Sequence, residues 1–154
     1  MPVEIERKFL VRDEGWRGGA TVVRIRQGYI FTGPTVSVRI RRAGASGFIT
    51  VKSGTGLVRG EYEYAIPPDD ADEMLDTVCA RPLIEKHRHH VRFAGLDWVV
   101  DEFDGALAGL VLAEIELDHA EQDVPLPPWA GREVTGDPRY LNANLAKSGL
   151  PQEL

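Results

Sequence analysis

The sequence predicts a mainly β chain of the α+β type, with eight strands closed into an antiparallel barrel and a few short helices outside it. Three observations lead there. Strand-like alternation or β-rich composition recurs in eight segments, glycine-rich turns separate several of them, and only two stretches carry helix signals. Eight strands in an open sheet would leave unpaired edges, which closure removes.

The elements follow in order. The first strand is read at 3–11, where Val3, Ile5, Phe9 and Val11 cover one face and Glu4, Glu6 and Lys8 project from the other. Segments 22–31, 35–42, 47–53 and 59–67 come next, divided by turns such as Gly44 to Gly47 and Ser53 to Gly60. Pro67-Pro68 ends the fifth strand and leads to a helix at about 69–80, whose apolar stripe is Met74, Leu75 and Val78. Strands at 82–93, 96–103 and 110–117 complete the set. Pro125, Pro127 and Pro128 mark a stiff loop. Asp137-Pro138 then reads as an N-cap followed by proline at the first helical position, opening a short helix to about Lys147. With no internal repeat, low-complexity tract or linker, one domain spanning 1–154 is expected.

The 154 residues are 43% hydrophobic and 27% charged, ordinary values for a globular chain. No apolar run approaches the roughly 20 residues of a membrane span. The start, MPVEIERKFLV, puts charges where a signal peptide needs an apolar stretch, so no export is expected. Cys79 is the only cysteine, which excludes an internal disulfide and agrees with a reducing cytoplasm; its residue type suits a small apolar position on the helix. A net charge of -6 argues against a general nucleic-acid binder but leaves a small anionic ligand open, since local clusters decide that. The expectation is a cytoplasmic monomer or homodimer without membrane or nucleic-acid partners.

The charges are sorted by strand. Arg39 and Arg41 share a face opposite Val38 and Ile40, and Lys52 lies opposite Val51. Arg59, Glu61 and Glu63 line one side of their strand, with Tyr62, Tyr64 and Ile66 on the other. Lys86, Arg88 and Arg92 follow, and Glu114 and Glu116 alternate with Ala113, Ile115 and Leu117. In a closed barrel one face points into the lumen. Periodicity alone leaves two arrangements open: charges in solvent around an apolar filling, or charges lining the lumen with helices over the apolar exterior. Residue type bears on the choice. Arginine suits bidentate contact with phosphate oxygens, and paired glutamates offer hard oxygen ligands for Mg²⁺ or Mn²⁺. His87, His89 and His90 lie close together, but His87 and His89 fall on the face opposite Lys86 and Arg88, so a histidine metal site is not expected.

Glu4-Ile5-Glu6-Arg7-Lys8 resembles the ExExK signature that opens the CYTH superfamily, the triphosphate tunnel metalloenzymes. It is followed in order by Gln27-Gly28-Tyr29, Val38-Arg39-Ile40-Arg41, Thr50-Val51-Lys52, Arg59-x-Glu61-x-Glu63, Glu85-Lys86-x-Arg88, Asp101-x-Phe103-x-Gly105 and Glu114-Ile115-Glu116. Val134-Thr135 and Arg139-Tyr140-x-Asn142 complete the similarity. The resemblance implies an eight-stranded tunnel with its charges inside. It further implies that Glu4, Glu6, Glu114 and Glu116 hold the main metal from opposite walls, and that Glu61, Glu63 and Asp101 serve a second metal or position water. Lys8, Arg39, Arg41, Lys52, Arg59, Lys86 and Arg88 would grip triphosphate oxygens, and Tyr29 and Lys86 match a tyrosine–lysine pair that activates water in some relatives. The implied cofactor is one or two Mg²⁺ or Mn²⁺ ions.

The short bacterial members that the chain most resembles include enzymes of inorganic tripolyphosphate, so hydrolysis of that small molecule to phosphate and pyrophosphate is the expected reaction. The alternatives are a class IV-type adenylate cyclase, a thiamine triphosphatase, or a non-catalytic polyphosphate or nucleotide sensor. The retained glutamate pairs argue against the sensor, because anion binding alone needs only the cations.

Overall fold

The computed structural model describes residues 2–18 and 21–152; Met1, Gly19, Ala20, Glu153 and Leu154 of the expected domain lie outside the described residues. Among the described residues there are nine strands: β1 (Val3–Val11), β2 (Thr21–Thr32), β3 (Val36–Ala43), β4 (Ser46–Ser53), β5 (Val58–Ile66), β6 (Ile84–Phe93), β7 (Leu96–Phe103), β8 (Val111–Glu116) and β9 (Ala130–Glu133). Their order is β5-β4-β3-β2-β6-β7-β8-β1-β9, and β5 also pairs with β1, so eight antiparallel strands close into a barrel and β9 is added beside β1. Closure pairs Glu4 with Arg59 across the seam.

The unforeseen strand is β9. It is four residues long and carries no alternation that a sequence pattern could register. It is held by backbone pairing of Phe9 with Glu133 and Val11 with Ala130. Gly131 permits the approach: a Cβ there would stand 3.1 Å from the Leu10 carbonyl oxygen.

The first helix, α1 (Pro68–Thr77), starts one residue earlier and stops three residues sooner than its apolar stripe suggests. Ala71 and Leu75 are buried against Ile40, Ile49 and Ile66, so α1 covers the outside of β3 and β4. Cys79 lies just beyond the helix in the same cluster, and its free thiol is buried. It packs against Gly28, where a Cβ would come within 2.6 Å of the Leu83 side chain and 2.9 Å of the Cys79 Cβ. This contact explains the glycine between Gln27 and Tyr29.

Helices cover only part of the exterior. The outer face of β1, β7 and β8 is sealed by loops that deliver Trp16 and Trp129 to Phe9, Trp98, Val100 and Ile115. Trp98 stands between the Phe9 ring at 5.6 Å and the Trp129 ring at 5.5 Å, in the tilted and edge-on arrangements aromatic pairs favour. The expected C-terminal helix is two pieces: a 3₁₀ turn at Pro138–Tyr140, with the Asp137 side chain accepting from the Arg139 N–H, then α2 (Asn142–Ser148). Tyr140 and Leu145 pack on Ile84, Phe103 and Leu112. By register, Ile84 pairs with Gln27, Phe103 with Lys86 and Leu112 with Asp101, so the C-terminal segment fills one end of the barrel on the lumen side. No helix among the described residues is long and apolar enough to cross a membrane.

Candidate active site

The lumen holds a cavity of about 450 Å³, within the roughly 300–1,000 Å³ common for small-molecule sites. Seven of the cations singled out in the sequence line it: Lys8, Arg39, Arg41, Lys52, Arg59, Lys86 and Arg88. So do six glutamates, Glu4, Glu6, Glu61, Glu63, Glu114 and Glu116, together with Tyr29. The charged face therefore points inward. Arg92 is the exception among the sorted charges; it pairs with Asp97 at 2.8 Å on the exposed β6–β7 hairpin.

The sheet order places the charges by sign. The acidic strands β8, β1 and β5 are neighbours, although β1 and β5 also carry Lys8 and Arg59; Arg39, Arg41, Lys86 and Arg88 come from β3 and β6 farther round the barrel, and Lys52 from β4, which pairs directly with β5. Glu4 and Glu6 therefore do not oppose Glu114 and Glu116 from a facing wall: Glu6 is the direct cross-strand neighbour of Glu116, and Lys8 of Glu114. A linear sequence gives each strand's face but not which strands are adjacent, and that is where the expectation of opposite walls fails.

Asp101 also sits elsewhere than expected. It is 0% exposed and outside the cavity lining, with both carboxylate oxygens engaged. Arg88 donates to them in a fork, Nε to Oδ1 and Nη2 to Oδ2, each at 2.8 Å, and Lys86 Nζ is 2.8 Å from Oδ2. Burial works to raise the Asp101 carboxyl, but Lys86 and Arg88 outweigh it and hold the group well below the ordinary carboxylate range. Asp101 thus supports two cations from behind and stands outside the cavity lining.

On the acidic wall the carboxylates crowd one another. Burial, then repulsion from Glu114 and Glu4, pushes Glu6 well above its ordinary value, with Lys8 as a partial offset. Glu61 is pushed up to about 7 by burial and by Glu4, and Glu116 is raised by burial and by Glu4. Glu4 and Glu114 go the other way. Burial would raise Glu4, yet the Glu61 hydrogen bond, Lys52 at 2.9 Å and Arg59 at 3.2 Å keep it ionised. Glu114 is likewise held down against burial by Lys8 and Arg88. Glu4 thus lies against Glu61 and Glu6 against Glu114, and in each pair neighbouring cations hold one carboxyl down while burial and the like charge push the other up. An oxygen-only donor set with excess negative charge fits a hard divalent cation. Among the described residues no three histidine, cysteine or acidic side chains already converge as a closed cage.

The cations crowd one another too, although Asp101 backs Lys86 and Arg88, Glu63 lies 3.5 Å from Arg39, and Glu4 and Glu61 flank Lys52. Burial, with Arg39 and Arg88 nearby, pushes Arg41 down to about 9. Burial and Arg39 also lower Lys52. Lys86, 1% exposed, is pushed down to about 7 by burial, against the pull of Asp101 and with a push from Arg88 and Arg41. Arg39 donates from Nη2 to Thr50 Oγ1 at 3.2 Å, while its Nε is buried without a hydrogen-bond partner. A buried guanidinium N–H with no acceptor is costly, and here it borders a cavity whose walls carry seven other lysines and arginines.

Tyr29 and Lys86 stand at different levels. On β2 it is Ile25 that faces Lys86, while Tyr29 lies opposite Arg39, four residues further along, or about 13 Å of strand. Lys86 Nζ instead donates to Asn142 Oδ1 at 2.8 Å. Lys8 Nζ donates to the Tyr140 carbonyl at 3.0 Å. These C-terminal partners were missed in the sequence reading, although Arg139-Tyr140-x-Asn142 marked the segment. The histidines are outside the lumen and spoken for separately: His87 Nδ1 lies 3.0 Å from Asp104, and His89 Nε2 3.3 Å from Glu102.

Comparisons with known proteins agree with this geometry. The chain is 50% identical over 149 residues to the inorganic triphosphatase of Acetivibrio thermocellus, covering 96% of both chains. It is 42% identical over 151 residues to the inorganic triphosphatase of Nitrosomonas europaea, covering 94% of this chain and 97% of that one. The crystal structure of the inorganic triphosphatase NE1496 superposes with a TM-score of 0.69 at 36% identity, covering 98% of this chain and 99% of the other. Residues 2–148 match the CYTH domain. A closed barrel with a charge-lined lumen, and a family match over nearly its whole length, make this chain a member of the CYTH domain family.

Proposed function

We propose that this protein hydrolyses a linear triphosphate, foremost inorganic tripolyphosphate, to phosphate and pyrophosphate with the aid of Mg²⁺ or Mn²⁺. The observation that carries the reading is the lumen itself: a ring of arginines and lysines shares one cavity with six glutamates, and the Arg39 Nε lacks an acceptor. An extended polyanion would supply that acceptor and neutralise the neighbouring cations. The relatives named inorganic triphosphatase support the same substrate.

Phosphoryl transfer asks chiefly for positioning and charge neutralisation. Arg39, Arg41, Lys52 and Arg88 would hold non-bridging oxygens, with Lys8, Arg59 and Lys86 completing the grip. Glu4, Glu6, Glu114 and Glu116 would hold the divalent ion, and Glu61 and Glu63 a second ion or the attacking water. When bound, the metal would neutralise phosphate charge and lower the pKa of water. Asp101 fixes Lys86 and Arg88 in place. Tyr29 and Lys86 would assist activation of the attacking water, Lys86 acting there in the neutral form that burial favours.

We place the enzyme in the cytoplasm on its single, unpaired cysteine. An adenylate cyclase would share most of the tunnel but direct attack at the α-phosphorus. The test is phosphate release from tripolyphosphate, ATP and thiamine triphosphate, each with Mg²⁺ or Mn²⁺. Tripolyphosphate should be turned over at least about tenfold more efficiently than ATP, a barrier difference of about 1.4 kcal/mol. Cyclic AMP forming from ATP faster than phosphate from tripolyphosphate would overturn the proposal.

A further inference from the structure

Two neutral amides lie among the cations, and the proposed chemistry does not use them. Gln27 is 0% exposed, and its Oε1 accepts from Arg41 twice, from Nε at 2.9 Å and from Nη2 at 2.7 Å. Its Nε2 donates to Asn142 Oδ1 at 2.9 Å, and the same oxygen accepts from Lys86 Nζ at 2.8 Å. The chain of contacts thus runs Arg41–Gln27–Asn142–Lys86, from β3 through β2 and the first residue of α2 to β6.

We infer that Gln27 and Asn142 are positioning residues, a two-amide relay that aims Arg41 and Lys86 into the lumen and ties that aim to docking of the C-terminal segment. Three features carry this. First, the hydrogen-bond directions form one consistent set: each amide carbonyl faces a cation, and the Gln27 NH₂ faces the remaining amide oxygen, so reversing either amide would set donor against donor. Second, the relay is neutral. A carboxylate at either position would hold the cations as firmly but would cancel charge needed by the anion, as Asp101 already does behind Lys86. Third, Asn142 belongs to a segment otherwise fastened by Tyr140 and Leu145 in the barrel end, so its oxygen reaches Lys86 only when that segment is seated.

The inference rests on the triphosphatase reading, and the experiment separates the two. Kinetics with tripolyphosphate are measured for Gln27→Leu, Asn142→Leu and the double variant. Each single change should lower kcat/KM by about 10- to 100-fold, mainly through kcat, because misaimed cations cost most where phosphate charge is redistributed. The double variant should lose no more than the worse single variant, since a relay broken once is already broken. Asn142→Asp keeps both hydrogen bonds while adding a charge. It should leave the melting temperature within a few degrees of wild type yet raise KM, a split that a purely structural role would not produce. If Asn142→Leu fails to fold, Gln27→Leu carries the test, because it leaves the apolar seat of the C-terminal segment intact. Wild-type kcat/KM in the single variants, or multiplied losses in the double, would overturn the relay. An inactive wild-type enzyme would instead overturn the functional reading.

Discussion

Replacing Asp101 by asparagine removes the one negative charge behind the cationic wall at almost constant volume. Three contacts of 2.8 Å are affected: the Arg88 fork and the Lys86 ion pair. The asparagine oxygen can keep at most the two contacts made at Oδ2, while its NH₂ then meets the Arg88 Nε–H donor. Removing one partner of a buried ion pair costs roughly 3–5 kcal/mol. Arg88 keeps partial access to the lumen, with its side chain 18% exposed, so the lower end, about 3 kcal/mol, applies. For a chain of this size that lowers the melting temperature by roughly 6–12 °C. The pH dependence follows from the direction of the shift. Asp101 is held below its ordinary value of 3.8, so its contribution is complete above that pH and is lost as pH falls through the lower folded value. Asp101→Asn should therefore be much less stable than wild type at pH 7 and approach it in strong acid. Calorimetric melting across pH checks this, and titration of Mg²⁺ into the substrate-free protein checks the site: metal affinity should change far less than for Glu6→Gln. An unchanged melting temperature at pH 7, or a metal-affinity loss as large as that of Glu6→Gln, would refute the supporting role assigned to Asp101.

Glu6→Gln and Glu116→Gln should each abolish metal-dependent turnover while raising the melting temperature of chelator-treated protein above pH 5; both carboxyls are raised in the fold, so ionising them with rising pH weakens the native state. A lower melting temperature in both variants would show that the crowding is not repulsive. Arg39→Met should cost about 2–4 kcal/mol in catalytic efficiency, roughly 30- to 1,000-fold, as expected when an oxyanion contact is lost; steady-state kinetics with tripolyphosphate check it. Gly28→Ala forces a methyl to within 2.6 Å of Leu83 and 2.9 Å of Cys79, an overpacking cost of about 2 kcal/mol that should appear as a melting temperature lower by roughly 4–8 °C.

Strand faces were legible in the sequence because alternation is local: Glu4, Glu6 and Lys8, or Arg39 and Arg41, need only their own strand to fall together. The direction of those faces was not. Periodicity treats lumen and solvent alike, and only the order of motifs decided between them. Adjacency was also out of reach, which is why Glu6 and Glu116 were expected on facing walls when they are cross-strand neighbours. Asp101 was expected as a ligand through the family resemblance alone; that it instead backs two cations is a fact of packing between β6 and β7. The strand β9 and the roles of Trp16 and Trp129 arise from loops, where no period exists to read. Asn142 was visible only as part of a motif, because its partners come from strands more than 50 residues away.

The account stands most directly on the products formed in the lumen. Phosphorus NMR of tripolyphosphate incubated with the wild-type protein and Mg²⁺ should show phosphate and pyrophosphate growing in equal amounts, with neither formed when the metal is chelated. Tripolyphosphate left intact in the presence of Mg²⁺ and of Mn²⁺ would contradict it.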